Sequence, residues 1–424
     1  MSRQPNCEHE PRGYRPTSEQ ILHYNRRDFL KLSALAAGGA FGTLSLPGLG
    51  IVPEAWGAPP ANRLVRIHCG SMQDWNFSDP NFSAYVKQSA YNDMFARGIT
   101  SLTGQQNVIS AWQNLLVGYQ PGHKIAIKLN LNSYDYNANQ TCEMAYAVIE
   151  SLKLFGVSAA NMKVFDVVRK FPDYWRARWN SDVAYVNDVN VAWDGNATVY
   201  FPAIDTTHRF PTVLSQADHV IAIGLQKGHK SYVTGSMKNH FGSQELPADL
   251  HVERYDNICQ LAASPFVRGK LRLIVIEGAF MTWDHEGHAF EETEATALFP
   301  VGISGHSSPN YMMFGVNMVT MDSALGAIQN YERAARGEDQ WPNEFITMAA
   351  GAPYNLGTRD NPTFVSNTAG WSQVDMRFNT YEYISYDLPL ADRKQIDALN
   401  LKLRAGHIHW SQLQHLVERY NERL

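Results

Sequence analysis

The stretch KIAIKLNLN, residues 124–132, has the alternating pattern of a strand with one apolar and one polar face. An apolar pattern at helical spacing follows at residues 142–155, and a second β-like run follows at residues 162–168. A strand, a helix and another strand in this order are typical of a parallel sheet flanked by helices. The stretch therefore predicts an α/β fold.

The same alternation continues on both sides of this stretch and predicts a mostly parallel sheet with flanking helices over residues 58–345. Further strands are predicted at residues 64–69, 198–202, 219–226, 271–277 and 311–319, and further helices at residues 106–116, 212–217 and 322–336.

Residues 346–424 differ in character and are predicted to form an irregular extension, loop-rich at first and helical at the end. Residues 351–386 are rich in Asn, Thr, Gly and aromatic residues, which favours long loops with a few strands. Residues 392–424 have the pattern of two polar, amphipathic helices.

The composition is that of a globular protein, with 44% hydrophobic and 12% aromatic residues. The net charge of -5 leaves no basic surface of the kind that binds a nucleic-acid backbone, so nucleic acid is not expected as a partner.

The N-terminal segment NRRDFLK, residues 25–31, places an arginine pair directly before an uncharged apolar run at residues 32–49. Small residues follow at 55–57, where a signal peptidase would cut. We interpret residues 1–57 as a twin-arginine signal peptide, which predicts the twin-arginine translocase as a partner and a periplasmic or other extracytoplasmic location. A transmembrane helix is the alternative, but the run is rich in Gly and broken by Pro47, so the mature form is not expected to be membrane-embedded.

Three polar side chains share one face at the end of the strand in residues 124–132, namely Lys128, Asn130 and Asn132. Ligands bind outside the carboxyl ends of the strands in open α/β sheets, so a cation and two amides there are placed for an anionic ligand. An edge strand with a solvated polar face would give the same pattern, and this segment alone does not separate the two.

The densest polar cluster is QKGHKSYVTGSMKNHFG, residues 226–242, directly after another predicted strand. Like charges so close together repel one another unless an anion neutralises them, and imidazole transfers protons near neutral pH. Free N–H groups at residues 234–236 would add to an anion site if a short helix began there. We therefore predict an anionic small molecule as partner, with Lys227, Lys230, Thr234, Lys238 and Asn239 as ligand-binding residues and His229 and His240 as catalytic residues. A solvated basic loop is the plain alternative.

The runs at residues 217–229 and 233–242 resemble the signature of the domain of unknown function 362 family, in which a Lys-x-His pair and a Thr-Gly-x-x-Lys-Asn-x-x-Gly segment occur together. Residues 128–131 resemble the Lys-x-Asn-Leu element of that family. Glu277 stands where the family usually has Asp, and of an Asp-Pro-Val-Ala-x-Asp segment only the last Asp matches, as Asp322. The resemblance covers residues 64–329 and implies no particular reaction.

Three carboxylates are expected to meet the lysine-rich loop, residues 226–242, at one edge of the sheet. Asp166 and Glu277 belong to predicted strands and are candidate catalytic residues, whereas Asp322 begins a predicted helix and has an N-cap as its simpler interpretation.

A divalent metal is a second possibility, because Asp284, His285 and His288 form a His-x-x-His segment with neighbouring carboxylates. A lid over the same pocket is the alternative for this segment. Some relatives in the resembled family carry iron–sulfur modules, but Cys69, Cys142 and Cys259 are too far apart in this sequence for a cluster motif, so an iron–sulfur cluster is not expected. A site built from these thiols and a histidine through folding, or one disulfide, stays open.

Two functional hypotheses remain. The first is an exported enzyme of unassigned reaction with an anion-binding, metal-assisted pocket at the carboxyl ends of the strands. The second is a non-catalytic protein that binds a ligand or metal, or serves in maturation. The sequence lacks a Gly-x-Ser-x-Gly elbow, a Walker loop and a dinucleotide fingerprint, which argues against the corresponding enzyme classes.

Overall fold

A computed structural model of the protein describes residues 58–75, 82–131, 140–167, 171, 173–229, 232–280, 309–366 and 374–388. These residues form an α/β fold. The strands are β1 (Arg63–His68), β2 (Ile125–Lys128), β3 (Met162–Phe165), β4 (Ala184–Val186), β5 (Trp193–Phe201), β6 (Thr206–Pro211), β7 (His219–Leu225), β8 (Lys227–His229), β9 (Tyr232–Thr234), β10 (Leu271–Gly278), β11 (Tyr311–Gly315), β12 (Thr363–Ser366), β13 (Val374–Arg377) and β14 (Glu382–Asp387).

Helices lie between these strands. They are α1 (Gln88–Thr103), α2 (Val108–Leu115), α3 (Cys142–Phe155), α4 (Asp173–Arg178), α5 (Thr212–Ser215), α6 (Arg254–Ala263), α7 (Met318–Ala335) and α8 (Glu344–Ala350). Short 3-10 segments at Lys238–Ser243 and Asp249–His251 complete the part that carries the candidate site.

One eight-stranded sheet organises the fold, in the order β14-β1-β11-β10-β7-β2-β3-β4. Within it β11 runs antiparallel to both neighbours, whereas the other paired strands are parallel. The prediction of a mostly parallel sheet is confirmed. Because β7, β2 and β3 are adjacent and parallel, their carboxyl ends meet at one edge, which is the edge that carries the lysine-rich loop.

The two faces of the sheet are covered by separate apolar cores. Helices α6, α7 and α8 and the β5–β6 hairpin pack on one face, and we call this the α7 face. Helices α1, α2 and α3 pack on the other, which we call the α3 face. Because side chains alternate along a strand, consecutive strand residues lie on opposite faces of the sheet.

Capping residues at both ends determine the bounds of α3, the helix of the predicted strand–helix–strand unit. The Thr141 side chain caps α3 by accepting a hydrogen bond from the backbone N–H of Met144. Gly156, with φ of 105°, ends the helix in the left-handed conformation that glycine adopts most readily. The bounds of α3 agree with the predicted residues 142–155.

The structure differs from the prediction at the strand expected over residues 311–319. Strand β11 stops at Gly315, because Asn317 caps α7 by accepting a hydrogen bond from the Thr320 backbone N–H at 3.1 Å. Asp322 therefore lies inside α7, and the prediction that it begins the helix is wrong. The strand expected at residues 198–202 is also longer, since β5 pairs with β6 outside the main sheet.

Cys69, Cys142 and Cys259 are buried free thiols, so the disulfide that the sequence left open does not form among them. No helix within the described ranges combines the length and apolar character needed to cross a bilayer. The helices predicted at residues 392–424 and the signal peptide predicted at residues 1–57 lie outside these ranges.

Candidate functional site

The candidate site is a cleft at the carboxyl edge of the sheet, on the α7 face. Its volume is about 390 Å³, including the part open to solvent. Strands β2 and β3 lead into its floor, and the segment from β8 to the 3-10 turn at Lys238–Ser243 forms much of its wall. The cleft is lined by Asn130, Asp166, Lys227, Thr234, Lys238, Asn239, Phe241, Gly242, Pro247 and His251.

Lys128 forms the base of this cleft together with Asp166 and Asn239. Its Nζ lies 3.3 Å from Asp166 Oδ2 and 3.2 Å from Asn239 Oδ1, and it also donates to the Leu129 carbonyl. The three protons of its ammonium group thus have three acceptors. We infer that Lys128 acts on a ligand through its charge rather than by a direct hydrogen bond.

Asp166 and Asn239 are themselves held by the backbone. Asp166 Oδ2 accepts the Leu131 N–H at 2.9 Å, and Asn239 donates from Nδ2 to the Ile223 carbonyl at 3.0 Å. Asn239 therefore connects the 3-10 turn to β7, while Asp166 connects the ends of β2 and β3. Burial lowers the pKa of Lys128, and the charge of Asp166 opposes that change.

Lys227 and Lys238 are the two lysines on the wall of the cleft, and these residues are 3% and 5% exposed. Burial lowers the pKa of Lys227 to about 8, with the charge of Lys128 acting in the same direction and Asp166 opposing. Burial, with repulsion from Lys227 and Arg254, lowers the pKa of Lys238 to about 7. Both amines therefore titrate near physiological pH, which is unusual for lysine.

His251 is a cleft residue that the sequence analysis missed. Its Nε2 lies 3.1 Å from Lys238 Nζ, and its Nδ1 lies 2.9 Å from the Pro247 carbonyl, so Nδ1 carries the proton and Nε2 accepts. Burial and the charge of Lys238 lower its pKa to about 4. Nothing in the sequence pattern places His251 beside Lys238, because the contact depends on how the segment after the 3-10 turn folds back.

Three buried polar atoms near the lysines have no hydrogen-bond partner among the described residues: Thr234 Oγ1, Ser236 Oγ and His240 Nε2. Of these residues, Thr234 lines the cleft. Buried polar atoms are nearly always hydrogen-bonded in native proteins, so the Thr234 hydroxyl is a candidate ligand contact.

His240 is fully buried and does not line the cleft. Its Nδ1 lies 3.2 Å from Ser243 Oγ. Burial, with repulsion from Lys128, lowers its pKa to about 3, so the ring is neutral at pH 7.

Asp322 of α7 binds backbone N–H groups at the entry to the 3-10 turn. One of them belongs to Ser236, whose N–H was predicted to bind an anionic ligand. The Asp322 carboxylate accepts the Ser236 N–H at 2.6 Å and the Met237 N–H at 2.9 Å. Burial raises the pKa of Asp322 to about 7 in spite of these two bonds. The 3-10 turn that follows begins at Lys238, and its entry is stabilised by a carboxylate of the protein itself.

Glu277 lies at the same edge of the sheet but on the α3 face. Along β10, Leu273 and Val275 belong to the core on that face, and Glu277 continues this alternation. Its carboxylate accepts hydrogen bonds from the Tyr91 hydroxyl at 2.6 Å and the Thr141 hydroxyl at 2.7 Å. The structure thus brings Asp166 and Asp322 to the lysine-rich segment and separates Glu277 from it.

Part of the predicted site lies outside the described residues. This part comprises Asn132, Lys230, Asp284, His285, His288 and the side chain of His229. Within the residues that are described, no group of three or more His, Cys, Asp or Glu side chains has the arrangement of a metal site.

Comparison with known proteins identifies no family. No protein-family model and no curated protein matches the chain. Among solved structures, the lactate racemase apoprotein from Thermoanaerobacterium thermosaccharolyticum aligns with a TM-score of 0.26 and 14% sequence identity, over 44% of this chain and 48% of that chain. The alignment thus spans about half of that protein, and a likeness of this size says nothing about activity.

Proposed function

We propose that the cleft binds a small organic anion, a carboxylate or a phosphate ester, and that the protein is an enzyme acting on it. The observation that supports this proposal is an excess of positive charge in the buried cleft. Lys227 and Lys238 line the cleft and Lys128 lies at its base, whereas Asp166 is the one carboxylate among the described lining residues. Buried like charges destabilise one another, and a bound anion would relieve this repulsion.

The lining residues suggest how the anion would be held. Lys227 would form a charge-assisted hydrogen bond with it, and the Lys238 amine, the Thr234 hydroxyl and the Asn130 amide would donate further hydrogen bonds. Asp166 and Asn239 would act by fixing Lys128.

Proton transfer is proposed for the pair formed by Lys238 and His251. An amine whose pKa is about 7 exchanges protons readily at neutral pH, and His251 Nε2 lies within hydrogen-bond distance of it. His229 and His240 stay predicted as further catalytic residues. The neutral, buried ring of His240 suits hydrogen bonding better than acid catalysis.

Calorimetric titration of the purified protein with inorganic phosphate and with acetate tests the anion site. We expect saturable binding that weakens about tenfold or more in Lys227→Gln, since a charge-assisted hydrogen bond is lost. Lys163→Gln, which removes an exposed lysine of β3, is the matched control. Binding that is equal in all three proteins would contradict the proposed site.

Turnover is tested separately by incubating the protein with pools of organic acids and phosphate esters and following their consumption. Consumption that Lys238→Met abolishes would support an enzyme. Tight binding of one pool component without consumption would instead favour the non-catalytic ligand-binding or maturation protein.

A metal centre that involves Asp284, His285 and His288 stays a prediction from the sequence. Elemental analysis of the purified protein addresses it directly. Stoichiometric zinc or magnesium that is lost in a His285→Ala, His288→Ala variant would support the centre, and stoichiometric iron with sulfide absorbance would contradict the expected ligand type.

We also propose that the chain belongs to the domain of unknown function 362 family and is exported through the twin-arginine route. The first proposal is supported by the motifs at residues 217–242 and 128–131, and the second by Arg26 and Arg27 ahead of the apolar run.

A further inference from the structure

The amine of Lys238 has the surroundings of a reactive lysine rather than of a structural one. It lines the cleft, lies 3.1 Å from His251 Nε2 and lies 4.0 Å from the centre of the Phe241 ring. A hydrogen-bond acceptor on one side and an aromatic face on the other hold the amine in a fixed place. No carboxylate is recorded within ion-pair distance of Lys238 among the described residues, in contrast to Lys128.

Burial, and after it the charges around Lys238, favour the neutral form of this amine. Lys227 of β8 and Arg254 of α6 repel a proton on this amine, and His251 is itself neutral because its pKa is lowered to about 4. Arg254 is fixed by cation–π contacts with Tyr232 at 5.8 Å and Tyr255 at 4.8 Å. An unprotonated lysine amine is a nucleophile, and enzymes produce it by burial and by neighbouring cations.

We propose that Lys238 forms an imine with a small organic acid that carries a ketone or aldehyde carbonyl. This deepens the proposed function and rests on it, because the anionic group of the substrate would be held by Lys227 and Thr234 on the same wall. A substrate with both groups would satisfy the cationic side of the cleft and present its carbonyl carbon to the amine.

The chemistry balances without a cofactor. The lone pair on Lys238 Nζ forms a bond to the carbonyl carbon, the C=O π bond breaks towards oxygen, and one of the two amine protons is transferred to that oxygen, which gives a neutral carbinolamine. Loss of the nitrogen-bound proton and of hydroxide, together one water, then forms the C=N bond. His251 Nε2 lies within hydrogen-bond distance of Nζ and is placed to relay the proton that leaves the nitrogen. No group is oxidised or reduced in these steps.

Reductive trapping tests the proposal in the full chain. Borohydride is added in the presence of pyruvate, of dihydroxyacetone phosphate or of acetone, and the modified lysines are located by peptide mass spectrometry. The first two probes distinguish a carboxylate from a phosphate ligand, and acetone carries the carbonyl without an anion. Borohydride delivers hydride to the imine carbon and leaves a stable secondary amine on the lysine.

We expect one adduct on Lys238 with pyruvate or dihydroxyacetone phosphate, and much slower trapping with acetone. At neutral pH the rate should exceed that of the exposed Lys163 by on the order of 100-fold, because exposed lysines are almost entirely protonated under these conditions. Lys238→Arg keeps a cation but cannot form an imine, so it should lose the adduct while retaining anion binding. His251→Asn should slow the trapping without abolishing it.

Different results would contradict the imine on Lys238 and the anion site in the cleft. Adducts spread evenly over surface lysines, together with intact phosphate binding in the cleft, would overturn the imine and leave the anion site standing. Absence of both the adduct and anion binding would overturn the site itself. If Lys238→Arg and the parent protein have the same Tm, a lost adduct cannot be attributed to misfolding.

Discussion

Lys128 Nζ lies 3.3 Å from Asp166 Oδ2 where both side chains are almost completely buried, with exposures of 1% and 2%. The two residues come from adjacent parallel strands, and Lys128 is paired in register with Phe165, the residue before Asp166. Removing one partner of a buried ion pair costs more free energy than the intact pair contributes, because the remaining charge stays buried without a countercharge. The pair therefore fixes the base of the cleft and makes it sensitive to single substitutions.

Asp166→Asn should destabilise the protein by about 3 kcal/mol, because it leaves the Lys128 ammonium buried without a countercharge. It also weakens the acceptor of the Leu131 N–H. Urea unfolding at neutral pH measures the loss. The double variant Lys128→Met, Asp166→Asn should recover part of it, since both charges are then absent. A loss below about 1 kcal/mol in the single variant would contradict a tightly coupled pair.

Glu277→Gln should lower stability and leave the anion site unchanged, since Glu277 faces the α3 core. An amide can keep its oxygen on the Tyr91 and Thr141 hydroxyls, but its nitrogen then faces Gln140 Nε2 and the Thr141 N–H, which already donate. We expect a loss of about 1–3 kcal/mol in urea unfolding. Phosphate affinity measured by calorimetry should equal that of the parent protein. A clear change in affinity would mean that Glu277 acts on the cleft.

The separation of Glu277 from the lysines shows how far the sequence could predict the site. Alternation along β2 and β10 assigned each residue to one of two faces, but it does not tell which face of one strand continues into which face of the next. The alternation of apolar and polar residues also does not reveal the direction of a strand, so the antiparallel orientation of β11 was not predicted. The mostly parallel sheet, by contrast, followed from strands and helices that alternate along the chain.

Two other differences arose because short polar residues compete for similar roles. Asn317 and Asp322 are both good N-caps, and only the fold shows that Asn317 caps α7 while Asp322 reaches Ser236 and Met237. His251 was missed for a related reason, since its contact with Lys238 joins segments that share no repeating pattern. The lysine cluster was found because its charges are dense along the sequence itself.

Replacing both Arg26 and Arg27 by lysine should retain the full-length chain in the cytoplasm, because the twin-arginine machinery requires the arginine pair. Cell fractionation followed by immunoblotting measures the distribution of precursor and shortened forms. A variant that replaces Arg12 and Arg15, which precede the pair, serves as control and should be exported like the parent. Continued export of the lysine variant would contradict our interpretation of residues 1–57.

The lowered pKa values of Lys227 and Lys238 predict how stability depends on pH. In the unfolded chain a lysine holds its proton up to about pH 10.4, whereas in the folded protein Lys227 and Lys238 lose theirs at about 8 and about 7. Between these values the unfolded state binds more protons at these two lysines, so their contribution to the free energy of unfolding should rise with pH. The rise should be on the order of 1 kcal/mol per pH unit for each lysine.

A bound anion should reverse part of this dependence, because it favours the protonated lysines. Phosphate should therefore raise the Tm strongly at about pH 7 and much less at about pH 9.5, where both amines are neutral in the folded protein. The variant Lys227→Met, Lys238→Met should lose both the slope and the phosphate effect, while Lys163→Gln should keep them. Thermal unfolding at several pH values, with and without phosphate, measures both quantities. An equal phosphate effect at both ends of the range, or one that survives in the double variant, would show that phosphate stabilises the protein elsewhere than at these lysines.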